Sequence, residues 1–228
     1  MTTIPLASGL IVAPWPAWLA RRGAFVALAF VLFALITPPT LVLWLPATLG
    51  DGYWSEFVWH LWPVMVACLA LPFLGPRTLH AVVGPPLSPR SFLAGFSCGV
   101  LGTVSAIAFS MLAIWTASPR GAESGPPYMY WCISIVLVGP FAEEWVCRGI
   151  LWQAVRRLFR PFLAICITAT VFTLSHGLDR IREFPYLLGY GLLLGWLRHK
   201  CGSLSPTILA HSVTNLGLTF FPPLPPWR

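Results

Sequence analysis

Apolar residues run through the chain in long blocks, separated by short clusters of charge, glycine and proline. The blocks fall at about residues 24–45, 55–74, 91–117, 128–151, 161–178, 185–197 and 204–221. They are apolar on all sides, not along one stripe or at alternate positions. Most approach the ~20 residues that carry a helix across ~30 Å of hydrocarbon. A bilayer leaves no backbone group without a partner, so a spanning segment is a helix or part of a closed barrel. The blocks are too long and too evenly apolar for the alternation of barrel strands. The expected fold is therefore all-α, a polytopic transmembrane helical bundle of about seven spans, with residues 1–228 forming one integral membrane domain. Pro38-Pro39 should kink or end the first span. The sixth span is short, and its Gly189, Gly191 and Gly195 suit close helix packing in lipid.

The polar breaks alternate in charge. One set of connections holds Arg21, Arg22, Arg77, Arg90, Arg156, Arg157, Arg160, Arg198 and Lys200, with no acidic residue. The other set holds Asp51, Glu56, Arg120, Glu123, Asp179, Arg180, Arg182 and Glu183, where acids match or exceed bases. By the positive-inside rule the N-terminus is cytoplasmic and the proline-rich C-terminus lies outside, in a multi-pass protein of the inner (cell) membrane. An interfacial helix over 14–20 is compatible with this count. The first block reads as an uncleaved signal-anchor, since no small-x-small cleavage site follows it at the right distance. Trp54, Trp59, Trp131, Trp152 and Trp227, near span ends, read as interface anchors.

Composition agrees. Only 9% of residues are charged and 57% are hydrophobic, against about 25% charged in soluble domains; the mean hydropathy is +0.77. The net charge of +7 sits in the loops and follows topology. No basic stripe interleaved with aromatics marks a nucleic-acid surface. Cys68, Cys98, Cys132, Cys147, Cys166 and Cys201 form no CxxC pair and read as small buried hydrophobes, not as disulfides or metal ligands.

Against this background, ionisable residues inside spans default to function. The fourth span carries Gly139-Pro140-Phe141-Ala142-Glu143-Glu144-Trp145-Val146-Cys147-Arg148-Gly149. Glu144 and Arg148, four apart, can meet on one helical face, while Glu143 points roughly 100° away toward another helix or a water. A purely structural ion pair accounts for Glu144 and Arg148 and leaves Glu143 without a partner. The fifth span ends in Phe172-Thr173-Leu174-Ser175-His176, and the seventh supplies His211-Ser212-Val213-Thr214-Asn215, whose His211 and Asn215 share a face. Each signal is commonplace alone. Together they put a glutamate pair, two histidines and an asparagine on three spans that can converge in one bundle.

Those groups suit water activation. Glu143, helped by His176, is a candidate general base for a water attacking a peptide carbonyl. His211 and Asn215 are candidate donors to the developing oxyanion. Glu144 and Arg148 are supporting residues. The alternative is a zinc site of Glu143, His176 and His211 with an open position, although the HExxH pattern is absent.

At these residues the chain resembles the CAAX protease and bacteriocin-processing family of intramembrane endopeptidases. The resemblance rests on Glu143-Glu144 with Arg148, Phe172 with His176, and His211 with Asn215, in that order on separate spans; the motif region is 139–215. It implies a glutamic-type protease, formerly called a metalloprotease, with Glu143 as base, His176 assisting, and His211 with Asn215 at the oxyanion. No cofactor is expected, with zinc as the alternative. The partners it implies are the lipid bilayer and a membrane-tethered or exported protein, cleaved for maturation or removal of a sorting tag. A non-catalytic scaffold or bacteriocin-immunity partner with the same fold, and a small transporter with a proton-relay carboxylate, are the rival readings.

Overall fold

The computed structural model describes residues 17–36, 62–75, 78–111 and 132–220, and these are helical throughout apart from short turns and connections. Helix α1 is Ala17–Ile36. After a helical stretch over 62–68 and a single turn at Leu71–Leu74 comes the short α2, Thr78–Val83. Helix α3 is Pro89–Met111. Residues 132–158 form one continuous helix, α4, with π-helical segments at Ser134–Val138 and Trp145–Leu151. Helix α5 is Pro161–Leu174, α6 is Phe184–Cys201, and α7 is Ser205–Phe220; a 3₁₀ turn at Leu178–Glu183 joins α5 to α6.

Local chemistry sets the helix ends. Ser88 Oγ accepts the Ser91 N–H (3.2 Å) and Ser91 Oγ accepts the Ser88 N–H (2.8 Å), a reciprocal cap at the start of α3. Pro161 opens α5 behind an extended Arg160, as expected for proline in a first turn. Gly202, in the left-handed region at φ 65°, ends α6 and donates to Arg198 O at 3.0 Å.

Small residues bring the helices together. A Cβ on Gly95 would lie 2.7 Å from Pro206 O, and one on Gly99 2.7 Å from Ala210 O, so α3 and α7 touch backbone to backbone. Gly191 and Gly195 fit α6 against Ala169 and Ile165 of α5. The outer faces carry large apolar side chains, among them Phe162 (77% exposed), Phe220 (72%) and Leu93 (63%). So much exposed apolar surface suits contact with lipid, not water.

Several expectations are revised. Helix α1 begins near Ala17, so Arg21 and Arg22 lie within its first turns, and 17–20 belong to it instead of to a separate interfacial helix. Pro38-Pro39, the acidic loops around Asp51, Glu56, Arg120 and Glu123, and Trp54, Trp59, Trp131 and Trp227 fall outside the described residues. The fourth helix continues past Leu151 to Leu158, and α5 stops at Leu174, four residues early. Trp152 is no interface anchor: it is 6% exposed, its ring tilted against His199. The six thiols are free, with Cys98 and Cys147 buried and the other four partly so. Among the described residues one helix, Pro89–Met111, is long and apolar enough to cross a membrane unaided. The all-helical class therefore stands, and the number of spans is a separate question.

Candidate active site

Three elements meet at the site: the middle of α4, the turn after α5, and α7. Glu144 and Arg148 fall four apart across the junction into the second π segment. Arg148 Nη1 donates to Glu144 Oε1 at 2.9 Å, with both side chains fully buried. Arg148 Nη2 donates to Gly191 O of α6 at 3.1 Å, and the guanidinium carbon sits 4.3 Å from the centroid of the Phe172 ring. The cation is thus held by an acid, a carbonyl and an aromatic face, as a buried charge requires.

His211 of α7 reaches the same carboxylate. Its Nδ1 lies 3.1 Å from Glu144 Oε1. As the carboxylate that Arg148 pairs, Glu144 can only accept, so His211 Nδ1 carries the hydrogen and Nε2 the lone pair of the neutral ring. Tyr190 and Phe172 each present a ring edge-on to His211, at 5.8 Å between centroids. Tyr190 Oη in turn lies 2.7 Å from Thr214 Oγ1, and Thr214 donates to Gly99 O or Ala210 O.

His176 does not sit in a helix. It follows the last turn of α5, and Gly177, at φ 89°, turns the chain away behind it. Its Nδ1 lies 2.8 Å from Phe172 O. A carbonyl only accepts, so Nδ1 again holds the hydrogen and Nε2 the lone pair.

The sequence left Glu143 without a partner. In the structure its Oε2 lies 3.9 Å from His176 Nε2 and 3.9 Å from His211 Nε2, and has no hydrogen bond. Two ring acceptor atoms therefore lie at the same distance from one carboxylate oxygen. A gap of 3.9 Å is too long for a direct hydrogen bond. It is short enough for one oxygen, lying off the line, to reach both ends. Asn215, the last expected member, donates through Nδ2 to Ile135 O at 2.9 Å, leaving the second amide hydrogen to donate elsewhere.

Glu143, Glu144, Arg148, His176 and His211 are thus brought into one cluster, and Asn215 lies one turn along α7 from His211. Tyr190, Thr214 and the Gly191 carbonyl were not foreseen; nothing in their own segments distinguishes them from packing residues. For zinc, the donors Glu143, His176 and His211 do face one another, yet among the described residues no three His, Cys, Asp or Glu side chains are arranged to hold an ion.

Residues 125–217 match the Rce1-like family of type II CAAX prenyl endopeptidases. This is the CAAX protease family that the three motifs resemble, and the matched stretch, less than half of the chain, contains all of them. No curated protein and no solved structure gives a significant match.

Proposed function

We propose that this chain is an intramembrane endopeptidase that hydrolyses a peptide bond of a membrane-tethered or exported protein through a water activated by Glu143 and His176. The observation that carries the reading is the convergence of Glu143 Oε2 with two histidine Nε2 atoms, all acceptors, at 3.9 Å. A water supplies two donors to such acceptors, and a carboxylate beside it can take its proton.

To donate to the carbonyl oxygen of a bound substrate, together with Asn215, His211 must carry a hydrogen on Nε2 as well as on Nδ1, a form that Glu144 against Nδ1 favours. Glu143 removes a proton from the water, whose oxygen bonds to the carbonyl carbon, and the negative charge moves to the oxyanion held by those two donors. When the tetrahedral intermediate collapses, the C–N bond breaks and Glu143 returns its proton to the leaving nitrogen.

The accompanying topology is a single membrane domain of seven spans with a cytoplasmic N-terminus, supported by the apolar blocks and the alternating loop charge. In that frame His176 lies toward the outer end of its span, which favours an exported substrate or its sorting tail. The test is proteomics of protein termini in membrane and secreted fractions from cells carrying wild-type or Glu143→Gln protein. New termini that depend on Glu143 are expected. An identical set of termini would remove the protease reading in favour of a non-catalytic scaffold or immunity partner.

A further inference from the structure

The second π segment of α4, Trp145–Leu151, directly follows the Glu143-Glu144 pair and contains Arg148. In an α-helix the Trp152 N–H would bond to Arg148 O. Here it bonds to Cys147 O and Gly149 O instead, so the Arg148 carbonyl loses its ordinary partner. Arg198, fifty residues later at the end of α6, replaces it: Arg198 Nε donates to Arg148 O at 2.9 Å. A buried carbonyl in a π turn needs such a donor.

The same guanidinium holds a second element. Arg198 Nη2 donates to Ala81 O (2.6 Å) and Val82 O (2.9 Å), carbonyls at the C-terminal end of α2. The α2 end lies against the π segment itself, since a Cβ on Gly149 would meet Val82 Cγ1 at 2.9 Å. Arg198 is 2% exposed. A planar fork can serve carbonyls of two elements at once, which an ammonium on a flexible stem does not.

We propose that Arg198 is a positioning residue: it clamps the π segment of α4 between α2 and α6 and so keeps the Arg148–Glu144–His211 chain in register with Glu143. The part concerning catalysis rests on the protease reading; the clamp itself does not. The π turn widens α4 where Arg148 must turn toward Glu144 and Gly191 O together, and Arg198 fixes the backbone atom of the same residue. None of its donors touches the reacting groups, so its effect on rate passes through Arg148.

The full chain in lipid nanodiscs, compared as wild type, Arg198→Met and Arg198→Lys, provides the test. Amide hydrogen exchange should quicken in both variants over 145–152 and 81–84 by about tenfold or more, from the loss of one charged-donor hydrogen bond to the first segment and of two to the second. The α3–α7 contact, Gly95–Ala106 against Pro206–Thr214, should keep wild-type protection. On a peptide taken from a Glu143-dependent terminus, kcat should fall by a similar factor with KM little changed, and Lys should restore less than half of the loss. Exchange that rises evenly across all helices would overturn the clamp in favour of a general folding role. Unchanged exchange over 145–152 would overturn it outright, and faster local exchange with wild-type kcat would overturn the positioning role. Should wild-type protein cleave nothing, the protease reading fails separately, and exchange alone decides the clamp.

Discussion

Glu143 and Glu144 are neighbours in sequence with opposite energetic roles. Glu144 is fully buried against Arg148 and His211, so neutralising or truncating it leaves a buried guanidinium without its acid. Breaking a buried pair in this way costs about 3–5 kcal/mol. Glu144→Gln and Arg148→Met should therefore unfold early in detergent thermal melts. Glu143 makes no hydrogen bond through Oε2, and its side chain is 31% exposed. Glu143→Gln should melt within about 0.5 kcal/mol of wild type, as changes outside structural features do. An equal loss from both glutamates would contradict this division. The pairing of Glu144 with Arg148 was legible because four-residue spacing on a helix is local geometry. That His211 also reaches Glu144, and that both histidines turn lone pairs to Glu143, was not. Those facts depend on the rotation of α7 and on a carbonyl at Phe172, which sequence spacing does not encode. Trp152 was misread for a related reason: proximity to a span end says nothing about which side of the helix faces the bundle.

At the scale of the elements, glycines on α3 act as contact points. A Cβ on Gly99 would lie 2.7 Å from Ala210 O and 2.6 Å from Val213 Cβ. Gly99→Val should force α3 and α7 apart and cost about 1–3 kcal/mol, the usual penalty of overpacking. Since Thr214 donates to Gly99 O or Ala210 O at this contact, the same variant should also lose activity. Gly189, with nothing within 4 Å of its added Cβ, is the control. Gly189→Ala should be neutral or stabilising by up to about 1 kcal/mol, and unfolding in detergent compares the two. The starts of α3, α5 and α6 at Pro89, Pro161 and Phe184 lie within two residues of the expected blocks at 91, 161 and 185, because each apolar block opens beside a proline that acts locally. The early end of α5 and the two π segments were not expected. A π turn leaves no mark in hydropathy; the end of α5 does leave one, the polar Ser175-His176 and Gly177 at φ 89°, but a block drawn on hydropathy runs through it to Leu178.

For the molecule as a whole, the sequence carried the all-helical class and the membrane setting, because both follow from long apolar blocks. The seven spans expected from the sequence do not follow in the same way: among the described residues one helix is long and apolar enough to cross unaided, and α5 has 14 residues, about 21 Å of helix at ~1.5 Å per residue, which crosses only part of a bilayer. The seven-span topology has its own test. Cysteines placed beside Arg21 and beside Arg160, on a background without the six native thiols, should react with a membrane-impermeant reagent only after the cytoplasmic face is opened. One placed beside Arg182 should react in intact cells, and the reverse pattern would overturn the orientation. Zinc is tested as simply. With protein groups and water sufficient for the chemistry, purified protein should keep its rate after dialysis against a strong chelator; a loss restored by added zinc would overturn that. The central claim, that Glu143 activates a water between His176 and His211, is met most directly by one measurement. A peptide spanning a Glu143-dependent cleavage point is incubated with wild-type or Glu143→Gln protein in nanodiscs, and kcat is compared. Loss of a general base should lower kcat by about 10²–10⁴, with the variant still folded and binding the peptide. A Glu143→Gln enzyme that cleaves at the wild-type rate would contradict it.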